Sequence, residues 1–137
     1  MLVLGAAMEG SGAMTLIVET LSEPLRQLSP ILALALIYAV TSVLTELVTN
    51  NAVAVIMTPI AVGVAAALGL DPRAFVVVVM FGASASFATP VGYQTNTMVY
   101  NAGGYRFTDF LRLGLPMNIL AGAVTVVLAP IIWPLEP

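Results

Sequence analysis

The sequence predicts an all-α membrane fold: a re-entrant helical hairpin, a discontinuous helix and a final transmembrane helix. Three observations lead there. Of the 137 residues, 60% are hydrophobic and only 8% are charged, against about 25% charge in an ordinary soluble domain. A globule this small and this apolar lacks the polar surface to cover its core, and a bilayer suits it better. The charges also leave long gaps, at 27–45, 47–70, 74–105 and 113–135, enough for four or five membrane segments of roughly 20 residues. Finally, two of those apolar stretches have the wrong length for simple spans and are broken by polar residues.

In chain order, residues 1–29 read as the tail of one helix, a flexible break at Glu9-Gly10-Ser11-Gly12, and a short amphipathic helix reaching Leu21. Residues 30–70 read as the hairpin. Its apolar arms, Ile31–Leu44 and Ala52–Leu68, hold 14 and 17 residues. They reach roughly 21 and 26 Å at the α-helical rise, short of a hydrocarbon core of about 30 Å. Between them lies the polar tip Thr45–Asn51, which places the tip at depth rather than at the far surface. Residues 74–105 would make a helix of about 48 Å, but Ala88-Thr89-Pro90-Val91-Gly92 interrupts it. Proline removes a backbone donor and glycine loosens the chain, so the helix unwinds there. Irregular backbone at membrane depth needs shelter in protein or a water-filled cavity, so the two polar breaks are expected to meet. Residues 106–112 read as an amphipathic elbow in the interface, with Arg106, Asp109 and Arg112 on one face. Residues 113–135 read as the last span, with Pro116 in its first turn, a close-packing face at Gly122 and Trp133 at the far interface.

Chemistry concentrates at the breaks. A helix starting near Asn51 turns unpaired N–H groups and a positive dipole end toward the tip. Thr49, Asn50 and Asn51 add side-chain donors, which together suit an anion. Carbonyls freed over Ala88–Gly92 suit a cation such as Na⁺. Glu46 is the one charged residue between Arg26 and Asp71. An ionisable group at such depth has a coupling role, as proton relay or cation ligand, or a structural role, pairing with a group elsewhere in the assembly. No partner for it is evident in this chain. An enzyme is disfavoured: there is no His and no Cys, both Asp lie in loops, and no glycine-rich phosphate loop is present. Four basic residues, all Arg, make no nucleic-acid surface.

The breaks also carry a resemblance. Thr45-Glu46-Leu47-Val48-Thr49-Asn50-Asn51-Ala52, then Ser86-Phe87-Ala88-Thr89-Pro90 and Asn96-Thr97-Met98-Val99-Tyr100 before Gly103-Gly104, resemble the divalent anion:sodium symporter family of dicarboxylate, citrate and sulfate transporters. The run Gly92-Tyr93-Gln94-Thr95-Asn96 and the later Gly104-Tyr105-Arg106-Phe107 are most similar to its sulfate-permease-like branch. The resemblance implies that residues 1–137 are the second of two inverted repeats, in a multi-pass protein of the plasma or inner membrane. It further implies a homodimer moving its site by an elevator motion, with the first repeat supplied by the same full-length chain or a separate one. Thr49, Asn50, Asn51, Thr89, Pro90, Asn96 and Thr97 would contact the anion, Asn96 replacing the family's motif Asn after a short insertion. Thr45, Val48, Asn50 and Ala88 would hold the coupling Na⁺, and no organic cofactor is expected. Arg106 and Arg112 would be cytoplasmic. Two other classes stay open: a cation/proton antiporter or arsenite-type permease of the same superfamily, and a non-transporting membrane subunit.

Overall fold

The computed structural model describes Val3, Ala7 and residues 10–136, with the side chains of Met14 and Ser22 set aside. Of the expected helix tail over the first residues, Val3 and Ala7 are described, and both are helical; the rest of it, and Glu9 of its break, lie outside the described residues. Gly12 does break the chain, at φ 73°, a left-handed conformation that suits glycine.

Six helices follow. They are α1 (Ala13–Leu25), α2 (Pro30–Leu47), α3 (Asn50–Leu68), α4 (Pro72–Ser84), α5 (Gln94–Gly103) and α6 (Phe107–Ile132). Their ends are written locally. The Ser29 hydroxyl accepts from Leu32 N–H at 3.4 Å and Pro30 opens α2, where a missing donor costs nothing. Gly69, at φ 70°, closes α3. Asp71 caps α4 by accepting from Arg73 N–H at 2.8 Å, and Pro72 follows it. The all-helical architecture agrees with the sequence reading, and α2, α3 and α6 are each long and apolar enough to cross a membrane.

The hairpin is splayed. α4 packs against both α2 and α3 more extensively than those two pack against each other. Its Phe75, Val78 and Val79 are wholly buried, among Leu34, Ile37, Val64 and Ala65. α1 leans on α3, where a Cβ at Gly63 would lie 2.7 Å from Val18. α6 runs antiparallel to both α2 and α4. Near its start Gly114 meets Phe87, in its middle Asn118 and Gly122 meet Tyr38, and beyond its end Leu135 O accepts from Asp71 N–H at 3.0 Å.

Three local expectations need correction. The polar tip is mostly helical: Thr45-Glu46-Leu47 finish α2 and Asn50-Asn51 begin α3, so only Val48 and Thr49 are non-helical. The arms are therefore 18 and 19 residues long, or about 27 and 28 Å, since a chain can stay helical through residues that merely interrupt its apolar run. The 106–112 elbow is not a separate element. Asp109 accepts from Arg106 N–H at 2.8 Å across the first turn, and the helix then continues unbroken to Ile132. Pro116 consequently lies in the interior of α6, not in its first turn.

Candidate functional site

The tip of the hairpin and the break between α4 and α5 are bound into one unit. The break runs from Ala85 to Tyr93. Thr45 is fully buried, and its hydroxyl donates to Ala83 O at 2.7 Å. The Ser86 hydroxyl donates to Thr45 O at 3.3 Å, and the Thr89 hydroxyl to Glu46 O at 3.0 Å. Gly92 comes so close that a Cβ there would lie 2.6 Å from Thr45 O and 3.2 Å from Glu46 Cα, besides striking the Ser86 hydroxyl. The lack of a side chain at Gly92 is what lets the break lie flat against the tip.

α5 then clamps the break. Asn96 uses its side-chain amide to donate to Ser86 O at 2.8 Å and Thr89 O at 3.1 Å. The Thr97 hydroxyl donates to Pro90 O at 2.6 Å. Both N–H bonds of the Asn96 amide are thus engaged within the chain, and its oxygen alone stays open to another group.

Glu46 is the hub. Its Oε1 accepts from Ala88 N–H and from the Asn118 amide, each at 2.8 Å. The expectation that this chain holds no partner for Glu46 is corrected by those two contacts. Sequence reasoning missed Asn118. A signal was present, because Asn118 is the one amide side chain between Leu113 and Leu135, and polar groups inside membrane helices tend to bond across helices. Asn118 is also the twelfth of the 26 residues of α6, so the hairpin tip lies near the mid-length of the longest apolar helix. Alongside, a groove of about 530 Å³ opens between α2 and α6, lined by Tyr38, Ser42, Glu46, Ala88, Asn118 and Gly122 among apolar neighbours.

Thr45, Glu46, Ala88, Thr89, Pro90, Asn96 and Thr97 are therefore assembled together. Val48, Thr49, Asn50 and Asn51 occupy the outer turn of the tip. Val48, Thr49 and Asn51 are exposed and Asn50 is half-buried. Thr49 is the N-cap of α3 but makes no side-chain cap hydrogen bond, and neither does Tyr93 at the start of α5. Two helix N-termini without such caps thus flank the joined breaks. Helix N-termini leave backbone donors free for an external acceptor.

The family model described as citrate transporter matches residues 1–82. An uncharacterized transporter of Synechocystis is 48% identical over 98% of this chain and 22% of its own length. The transporter YfbS of Escherichia coli is 36% identical over the same shares. Sodium/sulfate cotransporter 1 of Chlamydomonas reinhardtii is 46% identical over 69% of this chain and 11% of its own. The chain thus spans about a fifth of the length of the first two relatives.

Proposed function

Because the chain belongs to the citrate transporter family, with which the divalent anion:sodium symporter resemblance agrees, we propose that it forms one repeat of a secondary transporter. The cargo is a small divalent anion, sulfate before a dicarboxylate, carried across the cell membrane with Na⁺. The observation that carries this reading is the hydrogen-bonded union of two polar breaks at the mid-length of α6. Such irregular backbone persists at depth only when it lines a protected site.

The residues divide the work by their chemistry. Asn50, Asn51 and Thr49 crown the α3 N-terminus, where dipole and donors address an anion. The hydroxyl of Thr45 donates to Ala83 O, which leaves its lone pairs for a cation. The carbonyls of Val48 and Ala88 and the amide oxygen of Asn50 complete an all-oxygen set for Na⁺, which travels as co-substrate. Thr89, Pro90, Asn96 and Thr97 shape the far wall. The first repeat completes the site, and two copies of the full transporter pair in the membrane. Sulfate leads because the sodium/sulfate cotransporter of Chlamydomonas is 46% identical to this chain.

Uptake into proteoliposomes of the full-length transporter tests this. Labelled sulfate should accumulate only with an inward Na⁺ gradient, and unlabelled citrate or succinate should compete weakly. Asn50→Ala should reduce apparent affinity about 10- to 150-fold, the loss of a hydrogen bond to a charged group of roughly 1.5–3 kcal/mol. Uptake indifferent to Na⁺, or an intact Asn50→Ala protein with unchanged affinities, would sink the proposal.

A further inference from the structure

Where α5 turns back into α6, a second pocket, of about 260 Å³, opens between them. The rings of Phe87, Tyr105 and Phe110 bound it, and Leu113 and Met117 carry one wall along α6. The aromatic side packs edge to face: the Phe110 centroid lies 6.1 Å from that of Tyr105 and 6.0 Å from that of Tyr100. Besides the Tyr105 phenol, the polar side chains lining it are Asn96 and Asp109. Asn96 spends both amide N–H bonds on Ser86 O and Thr89 O, so it offers oxygen alone. Asp109 accepts from Arg106 N–H through Oδ2 at 2.8 Å, which leaves Oδ1 open. Aromatic rings beside a carboxylate and a second acceptor oxygen suit a cation that can donate hydrogen bonds.

The charges at this corner are uncommitted. Arg106 and Arg112 stand three positions to either side of Asp109, a spacing that makes them neighbours on one helical face. Among the described residues neither forms an ion pair with it; the pair that does form is Asp71 with Arg73. One anion between two cations is the complement of a headgroup that carries an ammonium and a phosphate. Depth agrees with that. α6 holds 26 residues, or about 39 Å, against a hydrocarbon core of about 30 Å and roughly 40–45 Å with the headgroup layers. A helix of that length puts its first, charged turn at headgroup level. Leu113 and Met117, both exposed, then begin the apolar side that meets acyl chains.

We propose that this pocket binds the headgroup of a phospholipid bearing a primary ammonium, phosphatidylethanolamine. The ammonium enters among Phe87, Tyr105 and Phe110 and donates to Asp109 Oδ1. The phosphate meets Arg106 and Arg112, and the acyl chains lie along Leu113 and Met117. A primary ammonium has N–H bonds to give to the acceptor oxygens, which a quaternary one lacks. A lysine from another segment of protein would satisfy Asp109 but leave both arginines without an anion, whereas the headgroup answers all three charges. The pocket has room for the headgroup arm and not for acyl chains, so binding needs the lipid face of α6 as well. The lipid would brace the corner between α5 and α6, next to the Asn96 clamp on the break.

The test uses the full-length transporter, delipidated in detergent, and reads the rise in melting temperature as a lipid is titrated in. It measures no uptake, so its outcome is separate from that of sodium-coupled transport. Phosphatidylethanolamine should act at a concentration about 2- to 30-fold lower than phosphatidylglycerol, which has the phosphate without the ammonium; that is the range a cation–π contact gives. Asp109→Asn keeps an acceptor for Arg106 N–H, so it should fold, and it should erase the preference between the two lipids. Tyr105→Leu should reduce that preference, and Arg112→Gln should weaken both lipids. Native mass spectra of the same samples should show wild type retaining one more phosphatidylethanolamine per chain than Asp109→Asn. Equal action of the two lipids on wild type overturns the proposal, as it would if a protein segment filled the pocket. So does a preference that survives intact in Asp109→Asn. Soluble phosphoethanolamine acting as well as the lipid would make this a site for a free amine and overturn the lipid assignment.

Discussion

Asn118 joins two helices through a single side chain, and the sequence treats it as one polar residue in an apolar run. Read from sequence, Asn50 is singled out and Asn118 passed over. The contact with Glu46 reverses that for stability. Asn118→Ala removes one of the two donors to a buried carboxyl oxygen, and a buried polar atom left short of a partner costs about 1–3 kcal/mol. A thermal melt in detergent should show Asn118→Ala well below wild type and Asn50→Ala close to it, since Asn50 follows the N-cap Thr49 and its side chain caps nothing. Equal melts for the two variants would remove the structural role of Asn118. At the opposite end of the bundle, Asp71 pairs with Arg73. Hydrogen bonds from the side chain and backbone of Arg73, with its charge, hold the Asp71 carboxyl below the usual carboxylate value. A depressed value in the folded state means stability present at neutral pH and lost as pH falls through that value. Acid titration should therefore destabilise wild type more than Asp71→Asn, and the difference should vanish below the carboxylate range.

Close helix packing, rather than apolar area, sets the geometry of the site at the scale of elements. Gly114 on α6 faces Phe87, and a Cβ there would overlap the Phe87 carbonyl and the Ala88 nitrogen. These are backbone atoms that cannot rotate away. Gly122 faces the Tyr38 ring, 2.5 Å from a built Cβ, and a ring can tilt. Gly114→Ala should thus cost about 1–3 kcal/mol by overpacking and break the Asn118–Glu46 contact, while Gly122→Ala costs less. Melting both variants checks the order. α6 also shows why the expected elbow disappears. The charged turn at Arg106–Asp109 is a helix N-terminus in which Asp109 accepts from Arg106 N–H, and the helix carries Pro116 and Pro130 without a break as far as Ile132.

The whole molecule is laid out by depth. Arg26, the Leu70–Pro72 turn and Leu135 share one end, where the Arg26 guanidinium donates to Ala67 O at 3.3 Å. The hairpin tip stops beside Asn118, partway along α6. The outward side of α6, including Leu113, Ile119, Leu120, Val127 and Ile131, is exposed, an apolar face suited to lipid. Depth is measurable because Trp133 is the only tryptophan. In nanodiscs of brominated lipids, Trp133 should be quenched best by bromines near the headgroups. Asn51→Trp in a Trp133→Phe background should be quenched best by deep bromines or be shielded within protein. Shallow quenching of the tip would place it at the surface and end the re-entrant reading.

Membrane class, helix content and the presence of two polar breaks were legible in the residues alone, because charge exclusion from lipid and proline's missing donor act locally on the chain. The motifs around Thr45–Ala52 and Ser86–Pro90 were legible for the same reason, since each is a contiguous run. Element boundaries were less so: hydropathy marked where the apolar arms stop, but backbone hydrogen bonding carried α2 through Thr45-Glu46-Leu47. What only the tertiary structure decided is which groups meet. Glu46 is 42 residues from Ala88 and 72 from Asn118, and no local pattern links positions that far apart. Their pairing follows from α4 wedging open the hairpin and α6 closing antiparallel over it, a consequence of packing among helices that are each equally content in lipid.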